Sequence, residues 1–279
     1  MQVTIIGIGL IGGSLAMALK EKSIATHVIG VDANPAHAQK ALDLGLVDEI
    51  LDLPAAIAKS SLIIISIPVD AAEKIITGIL DQVDKQVVMD TGSTKERLIN
   101  IVRGHNKRSR VVTTHPMWGT EYSGPEAAIH GAFQDKATVI CNKSESDSDA
   151  VELVENIYRA LGMHILYMDG AAHDLHAAYV SHISHITSFA LANTVLEKER
   201  EEDAIFELAS GGFESTVRLA KSNPDMWVPI LMQNRENILD VLNEHISQLR
   251  KFKSCLEKEN YGYLQELIEN ANKIKRILK

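Results

Sequence analysis

The first half of the chain alternates short apolar runs with stretches whose apolar residues recur at helical spacing. Val3, Thr4, Ile5 and Ile6 form a strand of the buried type, followed by a glycine turn and a helical pattern over 11–20. A second strand is predicted over His27–Val31, and a second helix over 35–44, stopped by Gly45. The run at 62–67 is almost wholly apolar and is closed by Pro68, which suits a parallel strand covered on both faces. Further strands are predicted over 86–89, 110–114, Ala137–Cys141 and 163–167. Strands alternating with helices imply a doubly wound α/β domain.

After Asp169 the pattern turns helical almost throughout, with breaks near Gly211-Gly212 and Asn223-Pro224. Ser222 and Asn223 are candidate caps ahead of a first-turn proline. A long amphipathic helix is predicted over 226–259 from the spacing of Val228, Leu231, Ile238, Val241, Leu242, Ile246 and Leu249, and another over 261–278. Long amphipathic helices in a small domain often bury a face against a partner subunit. The expected organisation is therefore an α/β Rossmann-type N-terminal domain, residues 1–169, followed by an all-helical C-terminal dimerisation domain, residues 170–279, with a homodimer formed through the helical half.

Composition narrows the class. The chain of 279 residues is long enough for two buried cores, and its hydrophobic fraction of 46% and charged fraction of 23% are those of a globular protein. A net charge of −9, with no dense block of Lys or Arg, argues against nucleic acid as a partner. Cys141 and Cys255 lie far apart and form no C-x-x-C, so neither a disulfide framework nor a thiolate zinc site is indicated. The apolar N-terminus lacks a basic flank, and no uncharged apolar run reaches the ~20 residues that span a bilayer. A cytoplasmic protein without membrane contact is expected.

The turn after the first strand reads Gly7-Ile8-Gly9-Leu10-Ile11-Gly12, a G-x-G-x-x-G, and Asp32 follows Gly12 by twenty residues at the end of the second strand. Gly7 permits the tight turn, Gly9 lets backbone approach a pyrophosphate, and Gly12 allows close packing of helix on strand. The free N–H groups at the start of the helix, at Leu10 and Ile11, then face the phosphates. Asp32 can accept both hydroxyls of an adenosine ribose, and its charge would repel a 2′-phosphate. NAD is thereby favoured over NADP as cofactor.

In open α/β sheets, ligands bind beyond the carboxyl ends of the strands, so polar residues there are the first candidates for chemistry. His115, at such an end, could act as a general base, and Ser93 could orient it; taken singly, a loop histidine and a helix-capping serine are the readier reading. A third cluster holds His173, Asp174 and His176, then Ser181, His182 and His185, the last two on one helical face. Metal binding is not expected, because no Cys or Glu–His pair completes a ligand set. Imidazoles hydrogen-bonding an anion and buried structural histidines both remain open. Arg218 could clasp a carboxylate bidentately or be a solvated surface residue.

Taken together, GIGLIGGSLA, DTGSTK, HPMWGTEYSG, HDLHAAYVSHISH and STVRLAKSNPDMW resemble the prephenate/arogenate dehydrogenase family of tyrosine biosynthesis over nearly the whole chain. The resemblance implies His115 as the base that takes the ring hydroxyl proton during hydride transfer, hydrogen-bonded to Ser93. It implies His185 and Arg218 as holders of substrate carboxylates, Ser181 and His182 as site-lining residues, and Thr120 and Glu121 near the pocket mouth. Trp227 matches a tryptophan that in relatives can approach the neighbouring subunit's site. Three positions depart from the family's usual pattern: Ser184 replaces a proline between the paired histidines, Trp118 replaces an alanine, and Ser215 replaces an acidic residue before the arginine.

The expected reaction is NAD-dependent oxidative decarboxylation of prephenate to 4-hydroxyphenylpyruvate, with arogenate, giving tyrosine directly, as the alternative substrate. A β-hydroxyacid dehydrogenase would call for a lysine in the first helix of the second domain, and no lysine occurs between Lys143 and Lys198. A non-catalytic NAD-binding regulator would be expected to lack Ser93 or His115, and both are present.

Overall fold

The structure is a computed structural model, and it describes residues 1–199 and 205–277. The first strands and helices are β1 Gln2–Ile6, α1 Leu10–Glu21, β2 His27–Val31, α2 Pro35–Asp43, β3 Glu49–Ile50, α3 Leu53–Lys59, β4 Leu62–Ile65, α4 Val69–Leu80, β5 Val87–Asp90 and α5 Glu96–Val102. They are followed by β6 Val111–Pro116, β7 Ala137–Cys141, α6 Ser148–Ala160 and β8 His164–Met168. The described strands form one eight-stranded sheet in the order β3-β2-β1-β4-β5-β6-β7-β8. All pairings are parallel except β6 with β7, so the last two strands run opposite to the rest.

The apolar run at β4 behaves as its composition requires. Leu62 and Ile64 join a cluster with Val3, Ile5, Leu15 and Met89 on one face of the sheet. Ile63 and Ile65 point the other way, among Ile57, Ile76, Ile79 and Val88. Successive strand residues alternate between faces, so a strand with both faces covered must be apolar at every position. The strand order changes direction between β1 and β4, and the carboxyl ends of these two strands lie side by side. Such a switch point is where open α/β sheets leave a crevice.

The remaining helices are α7 Gly170–Ala177, α8 Ile183–Glu199, α9 Gly211–Val217, α10 Pro224–Gln233, α11 Arg235–Glu257 and α12 Tyr261–Ala271. Helices α7 and α8 are joined by a π turn, Ala178–His182, in which the Ile183 N–H bonds back to the Ala178 carbonyl. The helix predicted over 226–259 is interrupted at Asn234, a turn residue with a non-helical backbone (φ −101°, ψ 25°). The helix predicted over 261–278 gives way to a 3₁₀ turn at Asn272–Arg276, and Leu278 lies outside the described residues.

By internal contacts the chain divides into Met1–Asn234 and Arg235–Lys279. Within the second unit α11 and α12 form a hairpin, whose turn holds Glu259 at φ 51° and caps α12 with the Asn260 side chain on the Tyr263 N–H.

Candidate functional site

The glycine turn after β1 is fixed by steric necessity. Gly7 has φ +87°, and a Cβ there would lie 2.5 Å from both the Ser66 carbonyl oxygen and the Ile67 side chain. A Cβ at Gly12 would lie 2.0 Å from the Gly7 carbonyl oxygen, so α1 can pack this closely only with glycine. At Gly9 a Cβ would meet nothing within 4 Å, so the turn leaves open space on that side. Gly9 also caps α1 without a side-chain hydrogen bond, leaving the first amides, at Leu10 and Ile11, available to an anion. Asp32 is tied to the turn, its Oδ2 accepting from the Ile8 N–H at 2.9 Å and its Oδ1 from the Asn34 N–H at 2.9 Å. Open backbone amides beside an anchored carboxylate fit the pyrophosphate and ribose of a dinucleotide.

The ends of β5 and β6 are held by a buried ion pair. Lys95 is fully buried, pairs with Asp90, and donates to the Thr114 carbonyl at 2.6 Å. Asp90 also accepts from the Thr114 N–H at 3.1 Å and the Gly92 N–H at 3.0 Å. This network positions Thr114, and with it the next residue, His115. The His115 ring is 9% exposed, and its pKa is driven well below the ordinary histidine value by burial, then by His173, the Lys95 ammonium and His182. Near neutral pH the ring is uncharged and able to accept a proton.

His115 Nδ1 lies 2.8 Å from His173 Nε2, and His173 Nδ1 lies 2.8 Å from Asp174 Oδ1. Asp174 is itself held at the start of α5, accepting from the Lys95 N–H at 2.8 Å and the Glu96 N–H at 3.0 Å. On the π turn, His182 Nδ1 accepts from the Asn234 side-chain amide at 3.0 Å. The same amide nitrogen donates to the Asp174 carbonyl at 2.6 Å, which fixes its orientation. His182 therefore carries its proton on Nε2, and burial lowers its pKa to about 4, against a raising influence from Asp174. His185 Nδ1 donates to the Ser181 carbonyl at 3.0 Å, and its ring stacks on Trp227 with centroids 3.4 Å apart. Burial lowers the His185 pKa, the hydrogen bond to Ser181 raises it, and Arg218 lowers it.

The structure thus gathers His182, His185 and Trp227 into one cluster within Met1–Asn234, with Ser181 bonded to it through its backbone, and His115, bonded to His173, is near enough to feel His182 electrostatically. The Trp227 indole N–H is buried and has no hydrogen-bond partner among the described residues. Arg218 is half-exposed and reaches Glu121 at 3.5 Å, linking the turn after α9 to the loop after β6. Thr120, on that loop, accepts from the Tyr122 N–H at 3.3 Å. Ser93 lies on the loop between β5 and α5, and among the described residues the hydrogen-bond partner of His115 is His173 rather than Ser93.

Sequence reasoning passed over Lys95, Asn234 and the roles of His173 and Asp174. The adjacent His173-Asp174 pair just after the last strand was the only visible signal, because its partners lie 58 and 79 residues away. No group of three potential ligand side chains able to hold a metal ion occurs among the described residues.

A mostly parallel sheet with this glycine turn, an acidic residue closing β2 and an imidazole cluster beyond the strand ends defines a dinucleotide-binding α/β protein of the dehydrogenase type. Comparison with known proteins carries the assignment further. Residues 15–167 match the family profile "Prephenate dehydrogenase, nucleotide-binding domain", and residues 169–270 match "Prephenate dehydrogenase, dimerization domain". The chain belongs to the prephenate dehydrogenase family. It is 30% identical to the prephenate dehydrogenase of Bacillus subtilis over 96% of this chain and 74% of that one. It is 28% identical to a cyclohexadienyl dehydrogenase of Zymomonas mobilis, covering 100% of this chain and 96% of that one. A crystal structure of prephenate dehydrogenase from Aquifex aeolicus, in complex with hydroxyphenyl propionate and NAD+, superimposes with a TM-score of 0.90 at 30% identity, over 99% of this chain and 97% of that one.

Proposed function

We propose that this protein catalyses the NAD-dependent oxidative decarboxylation of prephenate to 4-hydroxyphenylpyruvate, as a homodimer. The observation that carries the reading is the uncharged, buried His115 at the end of β6, on the same sheet as a glycine turn shaped for a dinucleotide. The prephenate dehydrogenases at 30% identity support the substrate, and the dimerization profile over 169–270 supports the assembly. The bounds of the two profiles also support a functional division into residues 1–169 and 170–279.

When bound, NAD supplies the acceptor for the hydride leaving C4 of the substrate ring. Gly7, Gly9 and Gly12, with the Leu10 and Ile11 amides, hold its pyrophosphate, and Asp32 takes the ribose hydroxyls. His115 removes the proton from the C4 hydroxyl as the hydride departs. The ring carboxylate then leaves as CO2, and its electron pair makes the ring aromatic. The phenolate so formed recovers the proton from His115, so the base is unchanged over a turnover. Aromatisation drives the C–C cleavage, and the protein has to place the hydride and move one proton.

Arg218 supplies the fixed cation for a substrate carboxylate, and His182, through Nε2–H, a neutral donor. Ser181, His185 and Trp227 line the ring, with Thr120 and Glu121 at the mouth and Ser93 beside the reacting hydroxyl. The His185 Nδ1–H is already committed to the Ser181 carbonyl, so His185 donates to a carboxylate only when it gains a second proton.

The test measures NADH formation with prephenate and with arogenate, each with NAD and NADP, for the wild type and His115→Asn. The variant should lose ~10²–10⁴-fold in kcat with NAD affinity preserved. Unchanged turnover would remove His115 as the base, and faster turnover of arogenate would reassign the substrate.

A further inference from the structure

We propose that Asp174 and His173 are positioning residues that fix which nitrogen of His115 is protonated, leaving Nε2 as the atom that takes the substrate proton. The inference rests on the assignment of His115 as the base.

The relay of hydrogen bonds starts at the carboxylate. Asp174 is 3% exposed, yet both its oxygens accept backbone N–H groups, Oδ1 from Lys95 and Oδ2 from Glu96. With a backbone N–H already donating to each oxygen, both face their neighbours as acceptors. His173 Nδ1, 2.8 Å from Oδ1, must therefore carry a hydrogen. With one proton on its ring, His173 then has only a lone pair at Nε2. That lone pair lies 2.8 Å from His115 Nδ1, so His115 must donate there. A singly protonated His115 with its hydrogen on Nδ1 has its lone pair on Nε2. This nitrogen has no hydrogen-bond partner among the described residues.

The reverse arrangement is disfavoured at its first link. Were His173 protonated on Nε2, its Nδ1 lone pair would face Asp174 Oδ1 at 2.8 Å, setting two acceptors against each other in a sealed site. His115 would then be forced to hold its proton on Nε2 and could not act as base from that side. The hydrogen bonds of Asp174 to the start of α5 thus decide the state of a ring on β6 through His173. The three residues come from two separate stretches, β6 and α7, braced by the amides of a third. A base so arranged needs no reorientation before each turnover.

The experiment combines ¹⁵N NMR of histidine-labelled full-length protein with steady-state kinetics on His173→Leu, His173→Gln and Asp174→Asn. In the wild type at neutral pH, both His115 and His173 should show a protonated Nδ1 and an unprotonated Nε2. His173→Leu should lower kcat by ~10²–10⁴-fold, the scale on which a wrong tautomer acts in a hydrolytic triad, with KM for both substrates little changed. A glutamine at 173 can accept from His115 through Oε1 and donate to Asp174 through Nε2, so His173→Gln should recover most of that loss. Asp174→Asn should shift the His115 ring nitrogens and lower kcat with them.

Observation of a proton on His115 Nε2 in the wild type, or of two protons on His173, would overturn the proposal, and needs no variant to fold. So would wild-type kcat in His173→Leu, or equal damage in His173→Leu and His173→Gln. His115→Asn separates the two levels: if it turns over normally the base assignment itself falls, whereas an inactive His115→Asn beside a fully active His173→Leu removes only the positioning role.

Discussion

Lowering the pH from 7.5 to 5 should destabilise the fold through His182, and the structure gives the size of the effect. This ring is 1% exposed, it accepts from Asn234 at Nδ1, and its pKa in the folded chain is about 4 against an ordinary 6.5. Because the folded value is depressed, the stabilisation from keeping the ring neutral is complete above pH 6.5 and is lost as the pH falls toward 4. At pH 5 the unfolded imidazole is almost wholly protonated and the folded one barely so, which by linkage costs about 2 kcal/mol from this residue alone. The assay is urea unfolding followed by tryptophan fluorescence at fixed protein concentration, since association also contributes. Trp227 is well placed to report, its ring centroid 6.0 Å from that of His182. His182→Asn is the control, because an asparagine Oδ1 can accept from Asn234 without titrating. The wild type should lose about 2 kcal/mol more than this variant between the two pH values. Parallel losses would refute the reasoning.

Asp32→Ser should relax discrimination against NADP in a comparison of kcat/KM for the two dinucleotides, and an unchanged preference would undercut the role given to β2. Arg218→Ala should raise the KM for prephenate by ~10–10²-fold, the worth of a charged hydrogen bond. The same change should leave the unfolding midpoint nearly unmoved, because its pairing with Glu121 is exposed and exposed pairs contribute little. Lys95→Met should cost about 3–5 kcal/mol in chemical denaturation by stranding the buried Asp90 carboxylate, and a neutral result would refute the part given to this pair in holding the strand ends.

Much of this architecture is written in local pattern. The strand His27–Val31 has the bounds predicted, Gly45 stands just past α2 at φ +68°, and the glycine turn reads directly as dinucleotide geometry. The features that escaped prediction are tertiary. The antiparallel step from β6 to β7 leaves no mark on either strand, since both faces are buried whichever way the strand runs. Apolar spacing continues through Asn234, and the break there is made by its side chain reaching Asp174 and His182 rather than by any local breaker. The strand predicted over 110–114 begins one residue later, because Arg110 closes a 3₁₀ turn and pairs with Asp147 and Asp149. His115 and Trp227 were legible as candidates from their motifs. What each one touches was not, because hydrogen-bond partners far apart in sequence are chosen by the fold.

The π turn at Ala178–His182 has a consequence for how the gene can vary. A π turn holds one residue more than the regular helix would, so α8 is out of phase with α7. Deleting a single codon there would let the helix close in ordinary register and could leave the chain folded. Because the wide turn absorbs the extra residue, the residues beyond it, His185 included, would keep about the phase and height that they have now. A one-residue deletion that closes the π turn should therefore be tolerated, whereas one that leaves the wide turn in place should turn His185 by about 100° about the helix axis.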